Sequence, residues 1–111
     1  MEVIKMYPED MDKREEYKLM YSNSAQNMSD AEGSVLKPTA WVLHEDVTPT
    51  GEIKKAVTLI TEDGEIFGTI SEPFINAFER IADFFDGEIG EIMVVSGTSK
   101  AGRTYITCDI V

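Results

Sequence analysis

The chain has few of the residues that cross-link a fold through disulfides or bind a metal. Its 111 residues include one cysteine, one histidine and one tryptophan. A single cysteine excludes a framework of internal disulfides, and the apolar run around Cys108 predicts a buried thiol in a reducing compartment. His44 has no second ligand at metal spacing, so we expect a surface or hydrogen-bonded histidine, no metal and no cofactor.

Positive charge is also scarce, because 10 Lys and Arg stand against 21 Asp and Glu, for a net charge of −11. This balance argues against non-specific binding of duplex DNA or anionic lipid, although it leaves room for a local basic groove. No apolar run approaches the ~20 residues of a membrane span. The start of the chain lacks the apolar core of an export signal, so we expect a cytoplasmic protein with no membrane partner.

Composition changes near Gly33 within what we expect to be one globular domain. Residues 1–34 are polar and rich in methionine, and they predict a helix over 8–21 followed by a polar connector. Residues 35–111 contain repeated β-branched runs. These predict strands over 35–47, 53–61, 65–71, 89–95 and 103–111, with a helix capped by Ser71 and carrying an apolar stripe from Phe74 to Phe85.

The order after residue 35 is therefore β-β-β-α-β-β. We expect a mainly β protein with helices: an OB-fold-like five-stranded Greek-key barrel over 35–111, preceded by an N-terminal helix. An OB-fold binds single strands on the face of its second and third strands and in two flanking loops. Here Lys54 and Lys55 follow the first of these loops, and Ser99, Lys100 and Arg103 lie in or beside the second. Cations there suit phosphate groups, but Lys54 and Lys55 equally suit solvated charges that protect a strand edge.

Aromatic side chains provide the second part of such a site, because exposed rings stack on bases whatever the sequence. Strand alternation places Phe67 and Tyr105 on outward rows. Trp41 is a third candidate, although the apolar residues on both sides of it favour the core.

Three segments carry a resemblance to known proteins: Trp41–Asp46, Asp63–Ser71 with Phe74, and Thr98–Ile106. Over residues 36–111 the chain resembles the small single-stranded DNA-binding proteins encoded by phages and mobile elements of Gram-positive bacteria. The resemblance implies an OB-fold that coats single-stranded DNA during replication or recombination in a bacterial host cell. By position it implies phosphate contacts from Lys100 and Arg103, base stacking on Phe67 and Tyr105, and polar contacts from Thr69 and Ser71.

One feature departs from that family. Many single-strand binders end in an acidic tail that recruits replication or recombination proteins, whereas this sequence ends on the strand residues Asp109-Ile110-Val111. We expect the acidic segment Glu9–Glu16 to serve in that role instead.

Enzyme signatures are missing from the sequence, which has no Gly-rich phosphate loop and no Ser/His/Asp set, so we expect a non-enzyme. A competing hypothesis uses the net charge directly: an acidic interaction or inhibitor module that imitates DNA. Such a mimic would line its acids on one continuous face. Ile60 and the methionines of the N-terminal region suit either a contact between subunits of a homo-oligomer or packing on the barrel.

Overall fold

Residues 2–21 and 24–111 are described in a computed structural model of the chain, and they form two β-sheets and two α-helices. The strands are β1 (Val3–Tyr7), β2 (Gln26–Asn27), β3 (Val35–Leu36), β4 (Pro38–Val47), β5 (Ile53–Thr61), β6 (Ile66–Thr69), β7 (Ile92–Thr98) and β8 (Thr104–Ile110). The helices are α1 (Lys13–Tyr21) and α2 (Glu72–Phe84), with one 3-10 turn at Met28–Ala31. The expectation of a mainly β protein with helices is confirmed.

The strands are divided between a large sheet of order β1-β4-β5-β6-β2 and a small sheet of order β3-β7-β8. Within the described residues the two sheets do not close into one barrel. The predicted strand over 35–47 is split: β3 pairs with β7 in the small sheet, and β4 pairs with β5 in the large one. The split falls beside Pro38, which has no N–H to donate to a ladder, and the pairing with β5 is irregular between Pro38 and Ala40.

The first 34 residues contribute more to the large sheet than the sequence predicts. Helix α1 lies within the predicted range 8–21, but β1 precedes it and pairs with β4, Tyr7 opposite Trp41. The polar connector contains β2, which pairs in parallel with β6, and the 3-10 turn. Residues 22 and 23 of that connector lie outside the described residues. Both edge strands of the large sheet therefore come from this part of the chain.

The large sheet is covered on both faces. On one face, Trp41, Leu59 and Val57 pack with α2 and the small sheet in the main core. On the other face, Ala40 and Val42 pack with Met11 and Leu19, on or near α1. Because both faces are buried, successive residues of β4 are apolar, and each fully buried large side chain contributes roughly 1.5–3 kcal/mol.

Helix α2 follows the sequence prediction closely, except at its cap. Its stripe of Phe74, Ala77, Phe78 and Ala82 is buried, and a proline stands in its first turn. Ser71 does not cap the helix with its side chain. Its hydroxyl instead donates a hydrogen bond of 3.3 Å to the carbonyl oxygen of Ile106, which fixes the start of α2 against β8.

Three hairpins use the same five-residue turn, at Thr48–Glu52, Thr61–Glu65 and Ser99–Arg103. In each, the first and fifth residues are joined through N–H and carbonyl at 2.8–2.9 Å, and the first residue's hydroxyl accepts the fifth residue's N–H at 3.2 Å. The fourth residue is a glycine with φ between 81° and 87°, a conformation that other residues rarely adopt. A shared backbone thus presents different side chains at three corners.

Candidate nucleic-acid interface

The hairpin between β7 and β8 holds four of the predicted site residues together. The sequence predicts a strand over 89–95, whereas β7 spans Ile92–Thr98 and is joined to β8 by the tight turn Ser99–Arg103. The hydroxyl of Ser99 accepts the N–H of Arg103 and is a structural group of the turn. Lys100 and Arg103 therefore extend from a defined backbone, and by strand alternation Arg103 shares a face with Tyr105. We call Lys100, Arg103 and Tyr105 the hairpin surface.

The two cations of the hairpin surface differ from most lysines in the chain. Ion pairs join Lys5 to Asp83, Lys13 to Glu16, Lys37 to Glu62, Lys54 to Glu52 and Lys55 to Glu79. Within residues 2–21 and 24–111, no carboxylate forms an ion pair with Lys100 or Arg103. Both side chains are exposed. They remain available to an external anion such as a phosphate group.

Tyr105 provides a fixed aromatic ring beside these cations. It stands directly opposite Gly97 in the β7–β8 ladder, and its ring occupies the space above that glycine. A Cβ on Gly97 would lie 2.6 Å from Cζ of Tyr105. The ring is thus supported by backbone on one side while 37% of the residue stays exposed, which is the arrangement of a stacking platform.

Lys54 and Lys55 do not join the hairpin surface. Strand alternation directs them to opposite faces of β5. Lys54 pairs with Glu52 at 3.8 Å, and Lys55 pairs with Glu79 of α2 at 3.0 Å. Both lysines therefore lie beside carboxylates, which fits the alternative interpretation that they are solvated charges at a strand edge.

Two candidate stacking residues are buried: Phe67, for which the predicted outward row is wrong, and Trp41, for which the sequence favours the core. Phe67 is only 5% exposed, in the main core, because the two rows of β6 are the reverse of those predicted. Trp41 is 1% exposed; its indole N–H donates to the carbonyl oxygen of Gly87 at 2.9 Å, and its ring meets Phe78 edge to face. The face of β5 and β6 is consequently occupied by the protein's own core.

Thr69 and Ser71 are half-buried, and their hydroxyls have local roles. Oγ1 of Thr69 accepts the N–H of Ser71 at 3.0 Å, and the Ser71 hydroxyl donates to Ile106. Both contacts shape the approach to α2. They lie away from the turn that holds Lys100 and Arg103.

Acidic residues collect in a different place, around a cleft of about 510 Å³ between the large sheet and the 3-10 turn. Five carboxylates line it: Asp30, Glu62, Asp63, Glu65 and Glu91. Lys37 pairs with Glu62 at 3.5 Å, and the amide of Gln26 donates to Glu65 at 3.2 Å. Glu91 stands just before β7, at the end of that strand opposite the Ser99–Arg103 turn that carries Lys100 and Arg103.

A second group of exposed cations and rings lies on α1. In the sequence, acidic residues stand between its members and obscure the pattern. Arg14, Tyr17, Lys18 and Tyr21 are all exposed. Their spacing of three and four residues, the signal that reveals them, places them on one side of a helix. The sequence reading of residues 8–21 assigned a helix there but no contact role to these four.

The remaining chemical groups are structural in character. The Cys108 thiol is buried, as predicted, and burial raises its pKa to about 12, with the Asp109 carboxylate adding to the rise and Arg80 opposing it. His44 is buried, with Nε2 3.3 Å from Oγ1 of Thr58. Across residues 2–21 and 24–111, no three His, Cys, Asp or Glu side chains form a group suited to a metal ion. In the same residues, neither helix combines the length and apolar character needed to cross a membrane.

Comparisons with models of protein families, with curated proteins and with solved structures found no match to this chain.

Proposed function

We propose that the protein binds single-stranded DNA without strong sequence preference, through the hairpin surface. The proposal rests on two features found together. Lys100 and Arg103 form no ion pair with a described carboxylate, and the exposed ring of Tyr105 lies on Gly97. Cations of this kind neutralise phosphates, and a supported ring stacks on a base. The proposed setting is replication or recombination of phage or mobile-element DNA, alongside other proteins of those processes in the bacterial cytoplasm.

Tolerance of sequence follows from the residue types present. Reading a base requires paired donors and acceptors aimed at its edge. The hairpin surface offers a ring face and two charges, which every nucleotide can use. We therefore expect similar affinity for thymine-rich and mixed single strands, with little affinity for duplex DNA, whose bases are not open to stacking.

The order of elements supports an OB-like fold as part of the same proposal. From residue 35 onward the chain runs through three strands, a helix and two strands, if β3 and β4 are taken as one bent strand. That strand enters both sheets, with its corner at Lys37 and Pro38. Strands that change sheets at a bend are a known way to connect two packed sheets, and the OB-fold is a partly open barrel.

The test is a titration of labelled oligonucleotides at several salt concentrations. An oligo-dT of about 30 nucleotides spans one OB module, which covers about 4–16. We expect binding to it at low salt, with affinity that decreases as salt increases and with much weaker binding of a duplex of the same length. Undetectable binding of the single strand at low salt would overturn the proposal.

The acidic cleft favours a second candidate function, an interaction module that imitates DNA. Five carboxylates line this cleft, where Lys37 pairs with Glu62 and Gln26 donates to Glu65, and a mimic needs such acids gathered on one face. A mimic would bind a DNA-processing protein, and duplex DNA would compete for that partner. Capture of such a partner by wild type but not by Glu62→Gln/Asp63→Asn, with no binding of single strands, would favour this function over the first.

A further inference from the structure

The exposed side of α1 has a composition that no other helix surface of the described chain shares. At about 100° per residue, Lys13, Tyr17, Tyr21, Arg14 and Lys18 fall within an arc of about 140°. All five are exposed, and four of them, Lys13, Arg14, Tyr17 and Lys18, line an open depression of about 600 Å³ whose lining includes no acidic residue. Glu15 and Glu16 lie outside the arc, toward the buried Leu19. We call these five residues the α1 stripe.

The two tyrosines of the α1 stripe form a pair. Their ring centroids are 5.0 Å apart with planes inclined by 36°, and the residues are 66% and 53% exposed. Neither tyrosine belongs to the two buried core clusters, so core packing does not explain the pair. Aromatic rings of this kind suit the faces of unstacked bases.

The cations of the α1 stripe are available as well. Arg14 and Lys18 form no ion pair with a described carboxylate, and Lys13 is 3.9 Å from Glu16 with its side chain 91% exposed. Three cations and no acid lie within the arc, and Asp12, Glu15 and Glu16 border it; Asp12 accepts the backbone N–H of Arg14 at 2.8 Å. The positive charge within the arc complements a polyanion.

A comparison within the molecule shows what the charges add. Phe84 and Phe85 are also an exposed ring pair with centroids 5.0 Å apart, but Asp83 and Asp86 flank them. Charge of both signs surrounds this pair, because Phe84 shares an open depression with Lys55, Arg80, Glu79 and Asp83, and Asp83 is paired with Lys5 at 2.9 Å. The depression lined by Lys13, Arg14, Tyr17 and Lys18 includes no acidic residue.

We propose that the α1 stripe is a second contact surface for single-stranded nucleic acid, with bases on Tyr17 and Tyr21 and phosphates on Arg14 and Lys18. This inference rests on the proposed function, because it gives the same strand a second contact on the side of the large sheet that faces away from the small sheet and its hairpin surface. A strand long enough to reach both surfaces gains affinity from the second contact through its high effective concentration. A short strand held by one surface gains little.

The experiment compares Tyr17→Ala/Tyr21→Ala with Tyr17→Phe/Tyr21→Phe, which keeps both rings, and with Phe84→Ala, which removes an exposed ring between acids. Loss of two stacked bases lowers affinity for an oligo-dT of about 30 nucleotides by about tenfold or more, and much less for one of about 8. The phenylalanine pair and Phe84→Ala bind as wild type. Ultraviolet crosslinking followed by mass spectrometry then recovers a peptide containing Tyr17 or Tyr21 attached to the strand.

Parallel measurement of Tyr105→Ala separates this inference from the proposed function. If Tyr105→Ala weakens binding while the alanine pair on α1 leaves it unchanged, the inference is wrong and the proposed function stands. If the alanine pair on α1 weakens binding while Tyr105→Ala leaves it unchanged, the α1 stripe binds the strand and the proposal for the hairpin surface is wrong. A wild-type protein that binds no single strand overturns both. An alanine pair that dissociates a dimer without changing DNA affinity assigns the stripe to a second copy of the chain and overturns the inference.

Discussion

The ring of Tyr105 fills the space that a side chain on Gly97 would need, since a Cβ there would lie 2.6 Å from Cζ and 2.7 Å from the hydroxyl oxygen. The two residues are direct cross-strand partners. An aromatic residue opposite a glycine gains a flat surface on which to lie, and the strand gains cover for its backbone. This pairing makes the orientation of the ring a property of the fold.

Substitutions at this pair test the ring as a stacking platform. We expect Tyr105→Ala to reduce the binding of single strands by about 1–3 kcal/mol, while Tyr105→Phe retains most of it. Gly97→Ala keeps the ring but displaces its far end, so it should weaken binding as well, with little loss of stability because the partly exposed ring can move toward solvent. Oligonucleotide titration and thermal unfolding measure the two effects. Unchanged affinity in Tyr105→Ala would remove the ring from the site.

The ion pairs predict which cations bind phosphate. Replacing Lys100 or Arg103 with glutamine should reduce the slope of log affinity against log salt by about 0.7 each, the value for a phosphate contact on a single strand. Lys54→Gln and Lys55→Gln are matched controls, because Glu52 and Glu79 already offset these charges. Titrations across a salt series give the slopes. Equal reductions in all four variants would mean that general charge, rather than the hairpin, governs binding.

The burial of Trp41 predicts that its fluorescence does not respond to the binding of a single strand. It is the chain's one tryptophan, 1% exposed and hydrogen-bonded to Gly87. A base cannot stack on a ring that the core encloses, so saturating oligo-dT should leave its emission nearly unchanged, while unfolding shifts the emission to longer wavelength. Strong quenching of tryptophan emission by a single strand would contradict the core placement.

The buried thiol predicts a change of stability at high pH. Burial raises the pKa of Cys108 from 9.0 to about 12. Between these values the unfolded chain releases the thiol proton and the folded chain retains it. The free energy of unfolding is therefore unaffected by this group below about pH 9 and decreases above it, by at most about 1.4 kcal/mol per pH unit.

Comparison with Cys108→Ala isolates that effect. Tyrosines and lysines also titrate above pH 9, so the informative quantity is the difference in pH slope between wild type and variant, measured by denaturant unfolding. The folded wild type should also react slowly with iodoacetamide at pH 8, since the thiolate is the nucleophile. Rapid alkylation of the folded protein would contradict the burial.

Strong local patterns predict some elements of the fold from sequence. Strand β5 occupies the predicted range 53–61, and α2 has the predicted apolar stripe, because a long alternating run and a regular three- and four-residue spacing each specify one structure. The hairpin turn at Ser99–Arg103 also follows from local chemistry, since a glycine supplies the positive φ. Lys100, Arg103 and Tyr105 could be named from sequence for this reason.

Patterns fail where burial comes from distant parts of the chain. The rows of β6 reverse because Ile66 packs under the α1 layer while Phe67 enters the main core, so both rows are apolar and alternation cannot tell them apart. Strand β1 is five residues long and contains a lysine; its pairing with β4 fixes it as a strand. The ion pairs of Lys54 and Lys55 likewise depend on tertiary geometry.

Because the three matched turns share one backbone conformation, their sequences can be exchanged with one another. Their hydrogen bonds run through backbone, one hydroxyl and one glycine, so the second, third and fifth residues are free to vary. One corner carries Glu62, Asp63 and Glu65, and another carries Lys100 and Arg103. Grafting the five residues Ser99–Arg103 in place of Thr61–Glu65 would transplant the positive corner to the opposite sheet without a new backbone design. The charge at each corner is thus set by the side chains of a short turn, while the backbone of the three turns is the same.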